Sequence, residues 1–305
     1  MSLTAGFDIG GTEIKFGLVD KKGRVWFKGS AATPSDVKQL GETLASIWTR
    51  MKRQAGRKRI LAAGFGFPGI FSPEKEQIIQ SPNYPGLDNL RLRPFLQPYF
   101  DVPFFLDNDA NLAAYGEWAV GAKGKPLSLV HLTLGTGIGS GIILEGRVWH
   151  GGAGFAAEIG HVIVNHEGEL CRCGNKGCLE TEASGPAIAR HHRMFSGGKE
   201  FLDAKEVARL AKKGDTAARR SFNRAGYFLG IGLGIIISIL NPEIIVLGGG
   251  VMASGQLLLN PALHEASQRC FRAAYASTVI RRAVLENDAG FIGAGLIART
   301  KLEKG

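Results

Sequence analysis

Two stretches of the chain share one pattern, in which an apolar run, a glycine turn and a second apolar run follow each other. Near the N-terminus, residues 3–9 are apolar, Gly10–Thr12 form a turn, and residues 14–19 are apolar again. The same order returns in residues 127–144. Apolar runs bounded by turn residues are typical of buried strands joined in hairpins. The repeated pattern therefore predicts two halves of related architecture.

Apolar spacing predicts further elements of both types between and after these hairpins. The predicted strands are residues 60–67, 102–106, 243–247 and a last strand near Ile280. The predicted helices are residues 36–53, 110–120, most of 185–240, 256–273 and 289–300. Strands that alternate with helices in this way indicate an α/β fold. The apolar run 225–240 is short for a membrane span and is interrupted by glycine and serine, so we interpret it as a buried helix.

Glycine makes up 43 of the 305 residues, and much of it stands in three clusters that each follow an apolar strand. Glycine has no Cβ, so backbone N–H groups can approach a ligand closely and form a concave site for anions. A single cluster of this kind is more often a plain turn, whereas three favour a nucleotide. The clusters are Gly10-Gly11-Thr12, Gly135-Thr136-Gly137 (continuing to Gly139) and Gly248-Gly249-Gly250.

Two common nucleotide motifs do not explain these clusters. The sequence has no G-x-x-x-x-G-K-[ST] segment, which excludes a P-loop enzyme. A G-x-G-x-x-G segment occurs at Gly64, Gly66 and Gly69, but Pro68 lies inside it and no helix signal follows. We interpret this segment as coincidental.

Two acidic residues, Asp8 and Asp109, follow predicted strands and are candidates for a chemical role. Asp109 follows the strand 102–106 and opens the predicted helix, a position where aspartate usually serves as an N-cap. Its neighbours Asp107 and Asn108 supply more polar groups than a cap requires. Phosphoryl transfer to an alcohol needs a carboxylate that accepts the hydroxyl proton, and Asp109 is our candidate. Asp8, directly before the first glycine turn, is a candidate for holding Mg²⁺, directly or through water.

Three of the four cysteines, Cys171, Cys173 and Cys178, lie within eight residues of one another. Thiolates this close favour a soft metal, and zinc is the usual one in a reducing compartment. A structural zinc site requires four ligands, and both His161 and His166 lie shortly upstream. Spacing leaves the choice between them open. The alternative is three buried free thiols.

Charge and cysteine usage bear on partners and location. The chain carries 37 Lys and Arg against 27 Asp and Glu, a formal net charge of +10. The basic residues are scattered and no nucleic-acid motif accompanies them, so we expect no nucleic-acid partner. Asp8 interrupts the first apolar stretch, which is unlike a secretory signal. We therefore expect a cytoplasmic protein that does not enter a membrane.

Together these motifs resemble the ROK family, named for repressors, open reading frames and kinases. The resemblance extends over nearly the whole chain, and the combination is far more specific than any single motif. The matching segments are Asp8-Ile9-Gly10-Gly11-Thr12-x-x-Lys15, Asn108-Asp109-Ala110-Asn111, Leu134-Gly135-Thr136-Gly137-Ile138-Gly139, Glu158-Ile159-Gly160-His161, Cys171-x-Cys173 to Glu180, and Val246 to Gly250.

The resemblance implies an actin-like, hexokinase-like (ribonuclease H-like) ATPase fold with two domains around a cleft. We expect an N-terminal domain over residues 1–117, completed by a C-terminal helix at 289–305, and a larger domain over 118–288. It also implies roles for single residues. Asp109 would be the base, and Asn108, Glu158, His161 and Glu180 would join it as sugar contacts. His161 would be the fourth zinc ligand beside the three cysteines. The nucleotide and phosphate contacts would be Asp8, Gly10, Gly11, Thr12, Lys15, Gly135, Thr136, Gly137, Gly248, Gly249 and Gly250.

The function implied by the resemblance is ATP-dependent phosphorylation of a hexose at its 6-hydroxyl, with glucose as the expected substrate, structural zinc, and Mg²⁺ bound with ATP. Kinases of N-acetylmannosamine, N-acetylglucosamine or fructose share these motifs. A sugar-responsive repressor is a different class, disfavoured because only seven residues precede Asp8 and leave no room for a helix-turn-helix. A sugar-binding module without turnover is disfavoured by the intact Asp109. The resemblance also favours a homodimer, while the use of polyphosphate and regulation stay open.

Overall fold

The computed structural model describes residues 2–198 and 202–304, and the chain divides into two compact units. Unit 1 contains Met1–Leu127, Gly141–Ala157 and Val284–Gly305, and unit 2 contains Ser128–Ser140 and Glu158–Ala283. Each unit is described separately below.

This division differs from the predicted domain boundaries, because residues 118–127, 141–157 and 284–288 group with unit 1. Contacts inside unit 1 provide the reason. The buried Glu117 carboxylate accepts backbone hydrogen bonds from Val284 and Leu285 at 3.1 and 2.6 Å. The His150 ring contacts Asp107 at 2.9 Å. Such contacts join segments that are distant in sequence, so apolar spacing does not indicate them.

A five-stranded sheet with the order β3-β2-β1-β4-β7 forms the centre of unit 1. The first three strands are an antiparallel meander, and β4 and β7 continue the sheet in parallel with β1. A short hairpin, β5-β6, lies outside this sheet. The strands are β1 (Leu3–Ile9), β2 (Glu13–Val19), β3 (Val25–Ala32), β4 (Ile60–Phe67), β5 (Ile70–Ser72), β6 (Gln77–Gln80) and β7 (Phe104–Asn108).

The helices of unit 1 cover this sheet and bury its apolar side chains. Helix α1 buries Leu40, Leu44 and Met51, the stripe expected from its 3.6-residue period. Aromatic rings fill the core below it, where Phe7 and Phe65 stack at 4.5 Å between ring centroids. The helices are α1 (Val37–Ala55), α2 (Leu92–Leu96), α3 (Asp109–Gly116) and, at the C-terminal end, α10 (Ala289–Lys304).

The second sheet has the order β10-β9-β8-β11-β12, in which β11 runs parallel to both β8 and β12. The two-residue strand β10 and residues 141–144 of β9 belong to unit 1. The strands are β8 (Ser128–Leu134), β9 (Ile138–Leu144), β10 (Arg147–Val148), β11 (Ile244–Gly248) and β12 (Val279–Arg282).

Six helices complete the described part of unit 2, namely α4 (Leu179–Ala183), α5 (Gly185–Ser196), α6 (Ala204–Lys212), α7 (Thr216–Leu240), α8 (Gln256–Arg269) and α9 (Arg272–Ser277). By length and composition α7 could cross a membrane, but 56% of its apolar window is buried inside the protein. It packs closely on α5 and α8, as expected for the core helix of a globular protein.

Two predicted helices are not α-helical over their whole predicted length. The helix predicted over 110–120 is α-helical only to Gly116, and residues Glu117–Gly121 form a π-helical turn. The helix predicted over 256–273 is interrupted at Cys270, whose extended backbone separates α8 from α9. In the first case the Glu117 side chain is held by the 284–285 backbone, a tertiary contact that overrides helical periodicity.

Candidate active site and metal centre

In unit 1, the carboxyl ends of three neighbouring parallel strands bring acidic residues to one edge of the sheet. Asp8 on β1 pairs with Gly66 on β4, and Gly66 pairs with Asp107 on β7. Residues paired in this way point to the same face of a sheet. Gly66 allows the start of α3 to approach β4 closely, because a Cβ there would lie only 3.0 Å from the Cα of Asp109.

The segment Asn108–Asp109 joins β7 to α3, and its side chains have separate tasks. Asn108, and not Asp109, is the N-cap, since its Oδ1 accepts the Asn111 N–H at 3.1 Å. Its Nδ2 donates to the Gly69 carbonyl at 2.9 Å. Asp109 is the first residue of α3, and its Oδ1 accepts its neighbour's backbone N–H at 2.8 Å. The N-cap role, which was the alternative for Asp109, is thus filled by Asn108.

The first glycine turn connects β1 to β2 at the same edge. Gly10 donates its N–H to the Glu13 carbonyl at 2.9 Å, and its own carbonyl accepts from the Thr33 hydroxyl at 2.7 Å. Gly11 and Thr12 are exposed at its tip. Asp8 is cross-strand partner to Lys15. Burial raises the pKa of Asp8 to about 6, and the Lys15 ammonium opposes part of that rise.

The second glycine turn, in unit 2, joins β8 to β9 and borders a cavity. Gly135 donates to the Gly137 carbonyl at 2.9 Å and accepts from the Gly185 N–H at 2.8 Å, which attaches the turn to the start of α5. The cavity measures about 610 Å³. Its lining combines the turn with α5, α6 and the third glycine cluster: Gly135, Thr136, Gly185, Pro186, Ala189, Asp203, Ala204, Lys205, Ala208, Arg209, Lys212, Phe222, Gly250, Val251, Ala253 and Ser254.

The third cluster follows β11. Gly249 has φ +86° and lies against the backbone of Leu134, so a side chain at this position would overlap β8. Gly250 then opens a 3₁₀ turn over Gly250–Ser254 that forms one wall of the cavity. Two of the three glycine clusters thus border a single cavity in unit 2.

A group of one histidine and three cysteines in unit 2 can hold a metal ion. The ligand atoms of His161, Cys171, Cys173 and Cys178 all lie within 4.8 Å of one another. Cys171 Sγ is 3.5 Å from His161 Nδ1, and Cys173 Sγ is 3.5 Å from Cys178 Sγ. A tetrahedral zinc ion with bonds of ~2.3 Å to sulfur separates its ligand atoms by about 3.8 Å, so the donor set fits.

The state of the cysteine thiols bears on metal binding at this group. All four cysteines are free thiols, and burial raises the pKa of the Cys171 and Cys178 thiols. A bound metal reverses that effect, because coordination deprotonates a thiol. Among the described residues, the group that can hold a metal contains His161 and not His166.

The polar residues expected to contact sugar in unit 2 lie around this group. His161 turns Nδ1 towards Cys171 and Nε2 towards Glu158, whose Oε2 is 3.9 Å away. Burial raises the pKa of Glu158; His161 lowers it and Glu180 raises it further. Residues 161–178, which carry the candidate metal ligands, are called the metal loop below. Glu180 follows this loop in α4, and its Oε2 accepts the N–H of Ile138 at 2.8 Å, which connects it to the strand that follows the second glycine turn.

Local sequence patterns did not indicate the role of several residues in these sites. The Gly64-x-Gly66-x-x-Gly69 segment, interpreted as coincidental, supports the Asp109 segment through the close approach at Gly66 and the Gly69 carbonyl. Helix α6 lines the cavity, although its sequence reads as an ordinary amphipathic helix. The Asp107 carboxylate and the His150 ring form a hydrogen bond although they are 43 residues apart in sequence, and no local pattern predicts this contact.

Comparison with known proteins assigns this chain to a family. Residues 4–301 match the ROK family. The glucokinase of Halalkalibacterium halodurans is 34% identical, with 98% of this chain and 97% of that protein covered. Xylose repressors are also among the relatives, as in Caldicellulosiruptor bescii, where 31% identity covers 94% of this chain and 76% of the repressor.

Two solved structures resemble the whole chain. A ROK hexokinase from Thermus thermophilus has a TM-score of 0.85 at 35% identity, covering 99% of this chain and 100% of the other. A ROK family glucokinase from Streptomyces griseus, solved with glucose and AMPPNP, has a TM-score of 0.84 at 30% identity, covering 98% and 100%. The mixed α/β fold is that of the hexokinase-like sugar kinases. The chain belongs to the ROK family.

Proposed function

We propose that this protein is an ATP-dependent hexokinase that transfers the terminal phosphoryl group to the 6-hydroxyl of glucose. The enzyme class, a sugar phosphotransferase, rests on the glucokinase relatives and hexokinase structures. The observation that carries the proposal is the placement of Asp109 in the first turn of α3. This position lies beside the strand ends that carry Asp8 and the first glycine turn. The choice of glucose rests on the similarity to glucokinases.

In the proposed reaction the Asp109 carboxylate accepts the proton of the sugar hydroxyl while the oxygen forms its bond to phosphorus. The bond between that phosphorus and the bridging oxygen of ATP breaks, and ADP leaves with the electron pair. Asn108, Glu158, His161 and Glu180 are the proposed sugar contacts. Asn108 keeps its two polar atoms in fixed directions because both are already hydrogen-bonded to backbone.

The nucleotide half of the proposal assigns the ATP to the glycine clusters. In unit 2, the 610 Å³ cavity beside Gly135, Thr136 and Gly250 is large enough for a nucleoside. Its rim carries Lys205, Arg209 and Lys212, which suit an anionic ligand. In unit 1, Gly10, Gly11, Thr12 and Lys15 are proposed phosphate contacts. Gly137, Gly248 and Gly249 complete the proposed nucleotide set.

Two metal ions belong to the proposal. Mg²⁺ accompanies ATP and neutralises phosphate charge, and Asp8 is the residue proposed to hold it, directly or through water. Zinc is proposed at His161, Cys171, Cys173 and Cys178, where it would fix the loop and the direction of the His161 ring. We also propose a cytoplasmic location and a homodimer, both from the family resemblance.

A hexose panel tests the function directly. Purified protein with Mg-ATP should release ADP with glucose, and the ratio of kcat/KM values across glucose, fructose, mannose, N-acetylmannosamine and N-acetylglucosamine ranks the acceptors. A higher kcat/KM for an N-acetylhexosamine would change the substrate and keep the enzyme class. ADP release that does not depend on any sugar of the panel would contradict the proposal. The similarity to xylose repressors makes sugar binding without turnover the outcome to compare with it.

A further inference from the structure

One side-chain pair in unit 1 has no role in the function proposed so far. His150, in the loop after β10, directs Nε2 at both carboxylate oxygens of Asp107, at 3.1 Å to Oδ1 and 2.9 Å to Oδ2. The Asp107 side chain is only 2% exposed and that of His150 27%. A buried carboxylate is costly unless it is paired and hydrogen-bonded, so this imidazole has a large effect on its neighbour.

The other contacts of Asp107 lead directly to the proposed phosphoryl-acceptor segment. Its Oδ1 accepts the backbone N–H of Asn108 at 2.8 Å and the Nδ2 of Asn111 at 3.0 Å. Asn111 in turn donates its backbone N–H to Asn108 Oδ1. Asp107 therefore fixes the two asparagines that start α3, and Asp109 stands between them.

The two oxygens of Asp107 depend on His150 to different degrees. Oδ1 has three donors, whereas the hydrogen bond found for Oδ2 among the described residues comes from His150. Without the imidazole, Oδ2 becomes a buried anionic oxygen two residues from the Asp109 carboxylate. A buried carboxylate oxygen that has lost its donor is unfavourable, so we expect the junction of β7 and α3, which carries Asn108 and Asp109, to rearrange when the imidazole is removed.

The main chain around His150 is held by hydrogen bonds of its own. The His150 carbonyl accepts the N–H of Ala156 at 3.1 Å, and the preceding Trp149 donates its N–H to the carbonyl of Ile142 in β9. The main chain that carries the ring is thus hydrogen-bonded on both sides. Such anchoring suits a side chain that orients another group.

We propose that His150 is a positioning residue for phosphoryl transfer: it pairs with the buried Asp107 and thereby keeps Asn108 and Asp109 ordered. The inference rests on the proposed function, since it assigns Asp109 the role of base. His150 itself need not touch either substrate. Its loss should therefore reduce kcat more than it changes the KM for Mg-ATP.

The test compares two replacements of the histidine. His150→Phe keeps a ring without a donor, and we expect kcat to fall about 10- to 100-fold with the KM for Mg-ATP within about twofold of wild type. His150→Gln keeps an N–H donor and should retain more of the rate. His264→Phe, at an exposed position of α8, is the matched control and should behave as wild type. Equal thermal midpoints and metal contents confirm that the variants are folded.

A second variant separates positioning from general damage. If His150 acts by compensating the Asp107 charge, Asp107→Asn should restore part of the rate lost in His150→Phe, because no unpaired carboxylate is left. Wild-type kcat in His150→Phe, or a double variant in which the two losses multiply, would overturn the inference. Wild-type protein that turns over no sugar would instead overturn the proposed function together with it, so the two failures are distinguishable.

Discussion

The acceptor segment of unit 1 and the metal loop of unit 2 position polar side chains by different physical means. Asn108 and Asp109 stand where β7 becomes α3, and a strand ladder on one side and a helix on the other determine their backbone. Residues 162–178 contain no described helix or named strand, only the isolated bridges of Ile163 with Cys178 and Leu170 with Lys176.

Regular secondary structure can therefore order a site before any ligand binds, whereas an irregular loop needs tertiary contacts of its own. In the metal loop these are side chains and close packing. A Cβ at Gly177, which has φ +71°, would overlap the Asn165 carbonyl oxygen. Asn165 donates its Nδ2 to the buried Glu182 at 2.8 Å. We therefore expect substitutions in the acceptor segment to change the rate but not the stability, and we expect substitutions or metal removal to change the order of the metal loop.

The largest effect should come from the base itself. Asp109→Asn keeps the size of the side chain and removes proton acceptance, so we expect kcat to fall by about 10²–10⁴ while sugar affinity changes little. Because this region is ordered by β7 and α3, the thermal midpoint should remain close to wild type. Stopped-time ADP release and equilibrium sugar binding measure the two quantities. A rate near wild type would remove Asp109 from the mechanism.

An intermediate effect should follow from Glu182, which supports the metal loop from α4. Glu182→Leu deletes the acceptor of Asn165, and outer contacts of this kind change metal affinity by about 10- to 100-fold. Wild-type protein should hold about one zinc per chain, and the variant should release it faster to a chromophoric chelator.

Glu182→Gln is the matched control, because its amide oxygen can still accept from Asn165. It should retain most of the affinity. Equal zinc release from all three proteins would show that the loop does not depend on Glu182. Metal removal should also raise the sensitivity of residues 162–178 to protease and leave the strand-end region of unit 1 unchanged.

The smallest effect concerns Asp8, at the edge of the unit 1 sheet. Its pKa is about 6 in the folded protein against an ordinary 3.8, so its ionised form is less favourable folded than unfolded. The folded state is therefore relatively more stable with this carboxyl protonated, and that advantage is lost as pH rises through about 6. At pH 8 Asp8→Asn should increase the free energy of unfolding by roughly 1–3 kcal/mol, and below pH 4 the difference should vanish.

Denaturant unfolding at pH 4, 6 and 8 measures this difference, with Glu42→Gln on the exposed face of α1 as control. The same substitution should weaken Mg-ATP binding. A variant less stable than wild type at pH 8 would show that the Lys15 contact outweighs the burial of Asp8. A gain in stability together with weaker Mg-ATP binding would indicate that the charge of Asp8 serves ligand binding at the cost of stability.

Much of the fold could be predicted from local sequence. Strand β4 coincides with the predicted residues 60–67, and α1 begins one residue after its predicted start because Asp36 is its N-cap. The glycine clusters and the cysteine spacing located the turns and the metal loop. These features depend on residues close together in the chain, where periodicity and turn chemistry act.

Local spacing thus predicted most of the strands and helices and the glycine turns, and the order of the motifs indicated the resemblance to the ROK family. The grouping of His161 rather than His166 with the cysteines, and the pairing of His150 with Asp107, became visible only in the folded chain. The physical reason is that these choices depend on distances between atoms in segments that meet only after folding. Burial then decides their chemistry, because it is the loss of water around Asp8, Asp107 and Glu182 that makes each partner matter.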